Sequence, residues 1–264
     1  ENVEIVGGIK NRLILNMIGK MVDYIYSRCT KIFTTSKSFV KAINSRGVPL
    51  EKIEYLPQYA EDFYKPLSKA NISEIPKDGA FNIIFTGNIG YAQGLDILPK
   101  AAALIKNKGV DRKIRINVVG DGRYKRELMQ LVDSMGLNDM FNFIPKQPAT
   151  RIPEFLSASD VAFLSLSDNP LFSMTIPAKL QSYMACGIPI LASATGETAE
   201  IIKEARAGVC SIPGNEHDLA EKIIELASMP KETLAQMGSN ARIYYENNFD
   251  KEKLLNKLDL HFSK

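Results

Sequence analysis

Short apolar strands alternate with amphipathic helices over residues 77–215, and this alternation restricts the possible folds more than any other feature. The predicted strands contain few alternating polar residues, which is typical of a parallel sheet buried on both faces. They are Asn82–Thr86, Ile114–Val119, Met140–Phe143, Val161–Ser165, Ile188–Ala192 and Val209–Ile212. The helices between them are Leu95–Asn107, Tyr124–Met135, Arg151–Ala158, Pro177–Cys186 and Glu197–Ala205. We therefore expect an α/β fold whose one complete domain is doubly wound and Rossmann-like, with a parallel six-stranded sheet.

The first 66 residues contain too few elements for an independent core. Their predicted elements are a helix over Ile9–Arg28, strands at Lys31–Thr35 and Lys52–Leu56, and a helix over Ser36–Ser45 capped by Ser36. Residues 57–76 are polar and bounded by prolines, which is typical of a linker. The segment is either a small accessory subdomain or the end of another α/β domain whose earlier strands are absent.

The composition excludes several classes of function. A net charge of +3 over 264 residues is too small to indicate nucleic-acid binding. Three cysteines without metal-ligand spacing favour reduced thiols in a cytoplasmic protein. Only His217 and His261 are present, so a histidine-based triad or zinc site is disfavoured. Gly187 and Pro189 interrupt the longest uncharged run, and no membrane span is expected.

A glycine-rich turn, Gly87-Asn88-Ile89-Gly90, follows the first strand of the complete domain, and a helical pattern starts at Leu95. Backbone N–H groups of such a turn point toward an anion. The turn lacks the Gly-Lys-Ser/Thr of a Walker loop and the glycine spacing of a dinucleotide fingerprint. It predicts a phosphate site, with a simple tight connection as the alternative.

Two further strand-to-helix turns carry lysines near a helix start. Lys125 follows Gly120 and Gly122, where a cation is slightly disfavoured by the helix dipole. It faces either an anion or solvent. Lys179 follows Thr175, and the N–H groups of Phe172–Ile176 are expected to face a ligand.

A fourth turn places Glu197 and Glu200 at the start of a helix. Acidic residues are favourable at that position because they interact with the helix dipole. The alternative is that a carboxylate there binds sugar or ribose hydroxyls. All four turns lie where strands end, which is the ligand-binding edge of a doubly wound sheet. Phosphate and hydroxyl contacts together suggest a nucleotide-sugar.

The motifs, taken in order, resemble the retaining glycosyltransferases of family 4, which have the two-domain GT-B fold. They are Thr86-Gly87-Asn88 through Gln93-Gly94, Gly120-Asp121-Gly122, Ala158-Ser159-Asp160-Val161, Met184-Ala185-Cys186-Gly187-Ile188-Pro189 and the turn Gly196–Glu200. The similarity covers nearly the whole chain. Within the family, the chain looks like the colanic acid and O-antigen branch that includes N-acetylfucosamine transferases.

The resemblance implies that these turns bind the nucleoside-diphosphate sugar donor, with UDP favoured. The implied donor-binding residues are Gly87, Asn88, Gly90, Gln93, Gly94, Gly120, Gly122, Lys125, Ile144, Thr175, Lys179, Ser182, Glu197 and Glu200. Most members carry Arg and Lys where this chain has Asn88 and Gln93, and paired glutamates where it has Met174 and Ser182. Lys125 and Lys179 are then the candidates for the diphosphate, and Glu197 or Glu200 for the hydroxyls.

The same resemblance implies three parts: residues 1–66 as a remnant of the N-terminal acceptor domain, 67–240 as the donor domain, and 241–264 as helices crossing back. Most of the N-terminal domain, with the catalytic residues, would be absent, so the fragment alone is expected to be inactive. The implied acceptor is a polyprenyl-diphosphate-linked sugar or a saccharide, in surface polysaccharide synthesis.

The implied reaction needs neither a metal nor another cofactor, and its place is the cytoplasm or the cytoplasmic face of the inner membrane, with peripheral contact through the N-terminal domain. Two alternatives stay open: a nucleotide-sugar 2-epimerase of the same fold, and a non-catalytic nucleotide-sugar-binding subunit.

Overall fold

The structure, a computed structural model, describes residues 11–262. Its strands are β1 (Ile32–Thr34), β2 (Ile53–Tyr55), β3 (Phe81–Asn88), β4 (Ile114–Asp121), β5 (Phe141–Ile144), β6 (Val161–Ser165), β7 (Ile190–Ser193) and β8 (Gly208–Ser211). Its helices are α1 (Arg12–Arg28), α2 (Lys37–Asn44), α3 (Ile97–Lys108), α4 (Lys125–Ser134), α5 (Ile152–Ser157), α6 (Pro170–Ser173), α7 (Ala178–Ala185), α8 (Glu197–Ala205), α9 (Glu216–Ser228), α10 (Lys231–Asn248) and α11 (Lys251–Phe262).

Six parallel strands form one sheet in the order β5-β4-β3-β6-β7-β8, which confirms the predicted doubly wound fold. Side chains on both faces, such as Ile83, Ile84 and Phe85, are fully buried. The strand order reverses between β3 and β6. This switch point opens a crevice at the carboxyl ends of the strands, where ligands bind in such sheets.

Strands β3 and β4 extend beyond their predicted ends at Thr86 and Val119, because the glycines that follow keep an extended backbone. Gly87 pairs with Gly120, and Asn88 with Asp121. Both glycines have positive φ, 121° at Gly87 and 150° at Gly120. A Cβ atom at Gly120 would lie 1.9 Å from the carbonyl oxygen of Gly87. Glycine therefore lets the strands stay close where a turn was predicted.

Residues 11–56 form a small unit around a parallel pair of strands, β1 and β2. Its core consists of Ile43, Val48 and Ile53. Ser36 caps α2 as predicted, its Oγ accepting a 3.1 Å hydrogen bond from the N–H of Phe39. Helix α1 has no buried residue, and the predicted helix start at Ile9 lies outside the described residues. None of the helices within residues 11–262 combines the length and hydropathy that a membrane crossing requires.

The last helix, α11, lies against this small unit. Lys257 donates a 2.7 Å hydrogen bond from Nζ to the carbonyl oxygen of Tyr55. Nε2 of His261 lies 2.8 Å from Oε2 of Glu54. These contacts connect the end of the chain to its beginning, while the domain limits at residues 66 and 240 stay a prediction.

Candidate functional site

A cleft of ≈ 700 Å³ opens at the carboxyl ends of β3 and β4, beside the switch point. Six of the predicted donor-binding residues line it: Gly87, Asn88, Gly120, Gly122, Lys179 and Ser182. The structure therefore brings the first and second glycine turns together with the start of α7. Pairing of β3 with β4 causes this, because it aligns the two turns side by side.

Tyr183 holds the end of β3 in place. Its hydroxyl oxygen accepts a 3.2 Å hydrogen bond from the N–H of Thr86 and lies 3.1 Å from Oγ1 of the same residue. Strand β3 pairs with β6 only at Ile83 and Ile84, so beyond that point this edge of β3 has no strand partner. The buried tyrosine takes the partner's place directly below Gly87. Burial raises the pKa of Tyr183 to about 12, so its proton is retained at neutral pH.

Lys179 lies on the floor of the cleft. Its Nζ is 3.8 Å from the centroid of the Phe85 ring. A Cβ atom at Gly87 would lie 2.9 Å from Cε of this lysine, so a side chain there would displace the end of Lys179 from its present position. Burial lowers the pKa of Lys179 to about 7, because the ammonium form loses its hydration. A desolvated amine at this position is suited to meet an anionic ligand.

Ser182 lies one helical turn further along α7. Its hydroxyl donates a 3.2 Å hydrogen bond to the carbonyl oxygen of Ala178. Tyr64 of the 57–76 segment lines the cleft together with Ser182, and burial raises the pKa of Tyr64. The 57–76 segment therefore meets the cleft near this part of α7.

Other predicted site residues lie away from the cleft. Oε1 of Gln93 accepts a 3.0 Å hydrogen bond from the N–H of Gly90, so its amide closes the first turn locally. Gly94 lines a separate cavity of ≈ 110 Å³ together with Ser167. Lys125 donates a 2.9 Å hydrogen bond from Nζ to the carbonyl oxygen of Gly120, behind the second glycine turn.

The third turn differs from its prediction because a short unpredicted helix, α6, forms within it. The N–H groups expected to face a ligand are bonded to the main chain instead: Phe172 donates to Asn169 O at 2.9 Å, and Thr175 to Phe172 O at 3.1 Å. Oγ1 of Thr175 also donates to Phe172 O at 3.0 Å. The expectation of free N–H groups is wrong for these residues.

The two glutamates of the fourth turn have different environments. Glu197 is 5% exposed, and its carboxylate accepts hydrogen bonds of 2.6 Å from the N–H of Lys37 and 2.7 Å from that of Ser38. Glu200 is exposed on the next turn of α8. Ile144 is buried at the end of β5, so it can offer a ligand only its backbone.

Several cleft residues were not among the predicted site residues. Glu61 and Tyr64 come from the 57–76 segment, which was interpreted as a linker and in fact forms one wall of the cleft. Asp121, Lys146 and Tyr183 are among the other lining residues that the sequence did not predict. Asp121 and Lys146 follow strand ends, which is a signal that sequence analysis could have used. Nothing local marks Glu61 or Tyr64.

No group of three or more His, Cys, Asp or Glu side chains within residues 11–262 is arranged to hold a metal ion. The charged side chains that line the cleft are two carboxylates, Glu61 and Asp121, and two amines, Lys146 and Lys179. Among these four side chains only Lys179 is partly buried, and the other three are exposed.

Residues 69–244 match the family model described as glycosyl transferases group 1. The chain belongs to this family. The matched range contains the whole six-stranded sheet and most of the cleft lining, so the cleft is a feature of the family's common domain.

Curated relatives are about a quarter identical to the chain over the aligned residues. D-inositol 3-phosphate glycosyltransferase of Pseudarthrobacter chlorophenolicus is 25% identical over 221 residues, which are 82% of this chain and 51% of that protein. The putative colanic acid biosynthesis glycosyl transferase WcaI of Escherichia coli is 26% identical over 233 residues, 85% of this chain and 54% of that protein. The chain spans about half the length of these relatives.

Solved structures share the fold at lower identity. HepE of Anabaena, crystallised in complex with UDP-glucose, superposes with a TM-score of 0.74 at 20% identity and covers 93% of this chain and 67% of its own. Sucrose-phosphate synthase of Thermosynechococcus elongatus gives 0.77 at 17% identity, with 97% and 64% covered. These likenesses confirm the GT-B type of fold for this chain.

Proposed function

We propose that the cleft beside β3 and β4 binds the nucleoside diphosphate of a sugar donor, UDP in first place, and that the chain is the donor half of a retaining glycosyltransferase. One observation carries the proposal: a desolvated lysine, Lys179, lies on the cleft floor against Gly87 at the switch point of the sheet. Both the amine and the glycine backbone suit a phosphate at that position.

Lys179 replaces, in this proposal, the two cations that family members carry at the positions of Asn88 and Gln93. Both of those residues are neutral here, and the amide of Gln93 is already bonded to Gly90. The backbone of the two glycine turns can approach the diphosphate without side-chain obstruction. Lys146 at the rim is the second amine available to it. Lys125 does not line the cleft, and its Nζ donates a hydrogen bond to Gly120 O.

Glu200 is the better of the two proposed hydroxyl-binding glutamates. Its carboxylate is exposed, whereas both oxygens of Glu197 accept hydrogen bonds from α2. We assign the ribose or sugar hydroxyls to Glu200 on this ground. The buried Ile144 would offer the base only its main chain, together with the neighbouring turn that leads to Lys146.

The proposed reaction breaks the bond between the sugar's anomeric carbon and the diphosphate and joins that carbon to the oxygen of an acceptor hydroxyl on the same face. The hydroxyl proton passes to the departing diphosphate or to solvent, and the nucleoside diphosphate is the other product. The departing diphosphate gains negative charge, which a protonated Lys179 stabilises at the cleft floor. Such preorganised stabilisation is a large part of catalysis in group transfer. The proposal includes no metal ion in this step.

The acceptor and the setting are proposed for the whole protein. In this proposal residues 67–240 form the donor domain, and residues 241–264 cross back to the acceptor domain. Residues 1–66 are a remnant of that acceptor domain, and the catalytic groups belong to the rest of it. The acceptor is a polyprenyl-diphosphate-linked sugar or a saccharide of a surface polysaccharide, such as colanic acid, an O-antigen or a capsule. The names of WcaI and its relatives support this class. The N-terminal part would touch the cytoplasmic face of the inner membrane.

Calorimetric titration of the chain with UDP, GDP and ADP tests the proposal directly. We expect saturable binding of one nucleotide, UDP, and a loss of at least about tenfold in affinity in Lys179→Met, since a charged contact contributes about 1.5–3 kcal/mol. Lys108→Met is the matched control, because Lys108 is exposed at the end of α3, away from the cleft. No saturable heat with any of the three nucleotides would contradict the proposal.

A second assay separates transfer from isomerisation. Full-length protein incubated with UDP-sugar alone should return the donor unchanged by NMR. Conversion of the donor at C2 would identify an epimerase and exclude the transferase. A product linkage of the donor's own anomeric configuration, formed when acceptor is added, would support retention.

A further inference from the structure

Among the lysines of residues 11–262, Lys179 is unusual because its amine is packed against an aromatic ring on the floor of the cleft. Nζ lies 3.8 Å from the centroid of the Phe85 ring, and Cε fills the space that a side chain at Gly87 would need. No carboxylate within residues 11–262 forms an ion pair with it. The ring face attracts a cation. The partly buried ammonium group has nevertheless lost hydration without gaining a carboxylate partner, and this loss disfavours its charged form.

The other charged groups around the cleft do not offset the loss of hydration at Lys179. Glu61, Asp121 and Lys146 line the cleft from the three segments opposite α7, and all are exposed to water, which weakens their effect on the floor. The tyrosines that face Lys179's end of the cleft, Tyr64 and Tyr183, have raised pKa values and stay neutral. Burial is accordingly the cause that lowers the pKa of Lys179 to about 7.

A bound diphosphate would favour the charged form of Lys179 instead. It would bring two or three negative charges to the floor of the cleft, close to Nζ. An opposite charge within a few ångströms favours the ammonium form, and more strongly where water is excluded. The lysine would then hold its proton firmly in the complex.

We infer that Lys179 is in part a neutral amine in the empty cleft and takes up a proton from solvent when the donor diphosphate binds. This inference rests on the proposed function, since it names the diphosphate as the ligand. Donor affinity is therefore coupled to proton concentration. It falls by up to about tenfold for each pH unit above neutrality, because one proton must be supplied for each ligand bound.

Calorimetric titration of the full chain with UDP, carried out at pH 7.5 in buffers of different ionisation enthalpy, measures the proton count. The observed heat should vary with the buffer in the direction of proton uptake, at roughly half a proton or more for each UDP bound. UDP itself cannot cause proton uptake at this pH. The pKa of its terminal phosphate is about 6, so a nearby cation can only make that phosphate release protons. Uridine should show no uptake.

Two variants isolate the lysine. Lys179→Arg keeps a permanent positive charge, so it should bind UDP without proton uptake and with a flat affinity profile from pH 7 to 9. Lys179→Met should lose both affinity and uptake. Lys108→Met should behave as the parent does.

An NMR titration of the lysine signal tests the inference without depending on how arginine fits at position 179. The ¹⁵Nζ signal of Lys179 is assigned by its absence in Lys179→Met. It should titrate near neutral pH in the free protein, and its titration midpoint should be at least one pH unit higher with UDP bound. UDP binding with buffer-independent heat and a pH-flat affinity would overturn the inference while leaving the donor site intact. Absence of UDP binding would instead refute the proposed function.

Discussion

The carboxylate of Glu197 accepts a 2.7 Å hydrogen bond from the backbone N–H of Ser38, at the start of α2. Its other oxygen accepts a 2.6 Å bond from the N–H of Lys37. Ser36 satisfies the next N–H, that of Phe39. Three N–H groups that a helix start leaves without intrahelical partners are thus bonded, two of them by a glutamate 159 and 160 residues away. This buried carboxylate fixes the small N-terminal unit to the six-stranded domain.

Glu197→Ala should destabilise the chain by about 2–3 kcal/mol, because it leaves two partly buried N–H groups without a charged partner. Urea unfolding measures the loss, and amide exchange should increase first in α2. Glu200→Ala is the control, since the exposed Glu200 sits on the same helix, and it should change stability by less than about 0.5 kcal/mol. Equal effects of the two substitutions would contradict the capping role.

Tyr183→Phe should weaken both stability and donor binding. The substitution removes only the hydroxyl that bonds to Thr86, so a buried N–H at the end of β3 loses its partner. We expect a loss of about 1–3 kcal/mol in denaturant unfolding. UDP affinity should fall as well, because Gly87, which lines the cleft, directly follows Thr86. Unchanged stability would show that another group bonds to Thr86.

Gly120→Ala should be far more damaging than Gly136→Ala. Both glycines have positive φ, 150° and 64°, so both substitutions carry backbone strain. At Gly120 the new methyl would also lie 1.9 Å from Gly87 O, whereas nothing lies within 4 Å at Gly136. We expect a loss of about 1 kcal/mol at Gly136 and at least about 3 kcal/mol at Gly120. Thermal unfolding compares the two, and similar losses would contradict the close approach of β3 and β4.

The stability of the ligand-free chain should contain a pH-dependent contribution from Lys179. Its pKa is lowered to about 7 in the folded protein, against 10.5 for an ordinary lysine. Between these values the unfolded chain binds more protons than the folded one, so this contribution to stability rises with pH from about 7 to about 10.5 and is absent below that window.

Urea unfolding of the parent and Lys179→Met at pH 7, 8 and 9 measures this contribution. The difference in unfolding free energy, parent minus variant, should grow with pH. A constant difference would mean that the amine keeps its ordinary pKa in the folded state.

Much of the fold follows from local sequence. Runs such as Ile83–Phe85 are apolar on both faces, and the alternation with helices leaves a parallel doubly wound sheet as the arrangement that buries them. The strand ends were less predictable, since Gly87 and Gly120 look like turn residues alone and act as strand residues only when paired with each other.

The sequence by itself determined that glycine turns and lysines would meet at the carboxyl edge of the sheet, because every parallel strand ends there. Tertiary structure alone decided which side chains face the cleft. Lys125 bonds to Gly120 O, whereas Lys179 extends onto Phe85. Glu197 caps a helix distant in sequence, and Tyr64 joins the cleft from a segment interpreted as a linker. The physical reason is that hydrogen bonds and burial between distant segments set a side chain's partner, and no local pattern contains that information.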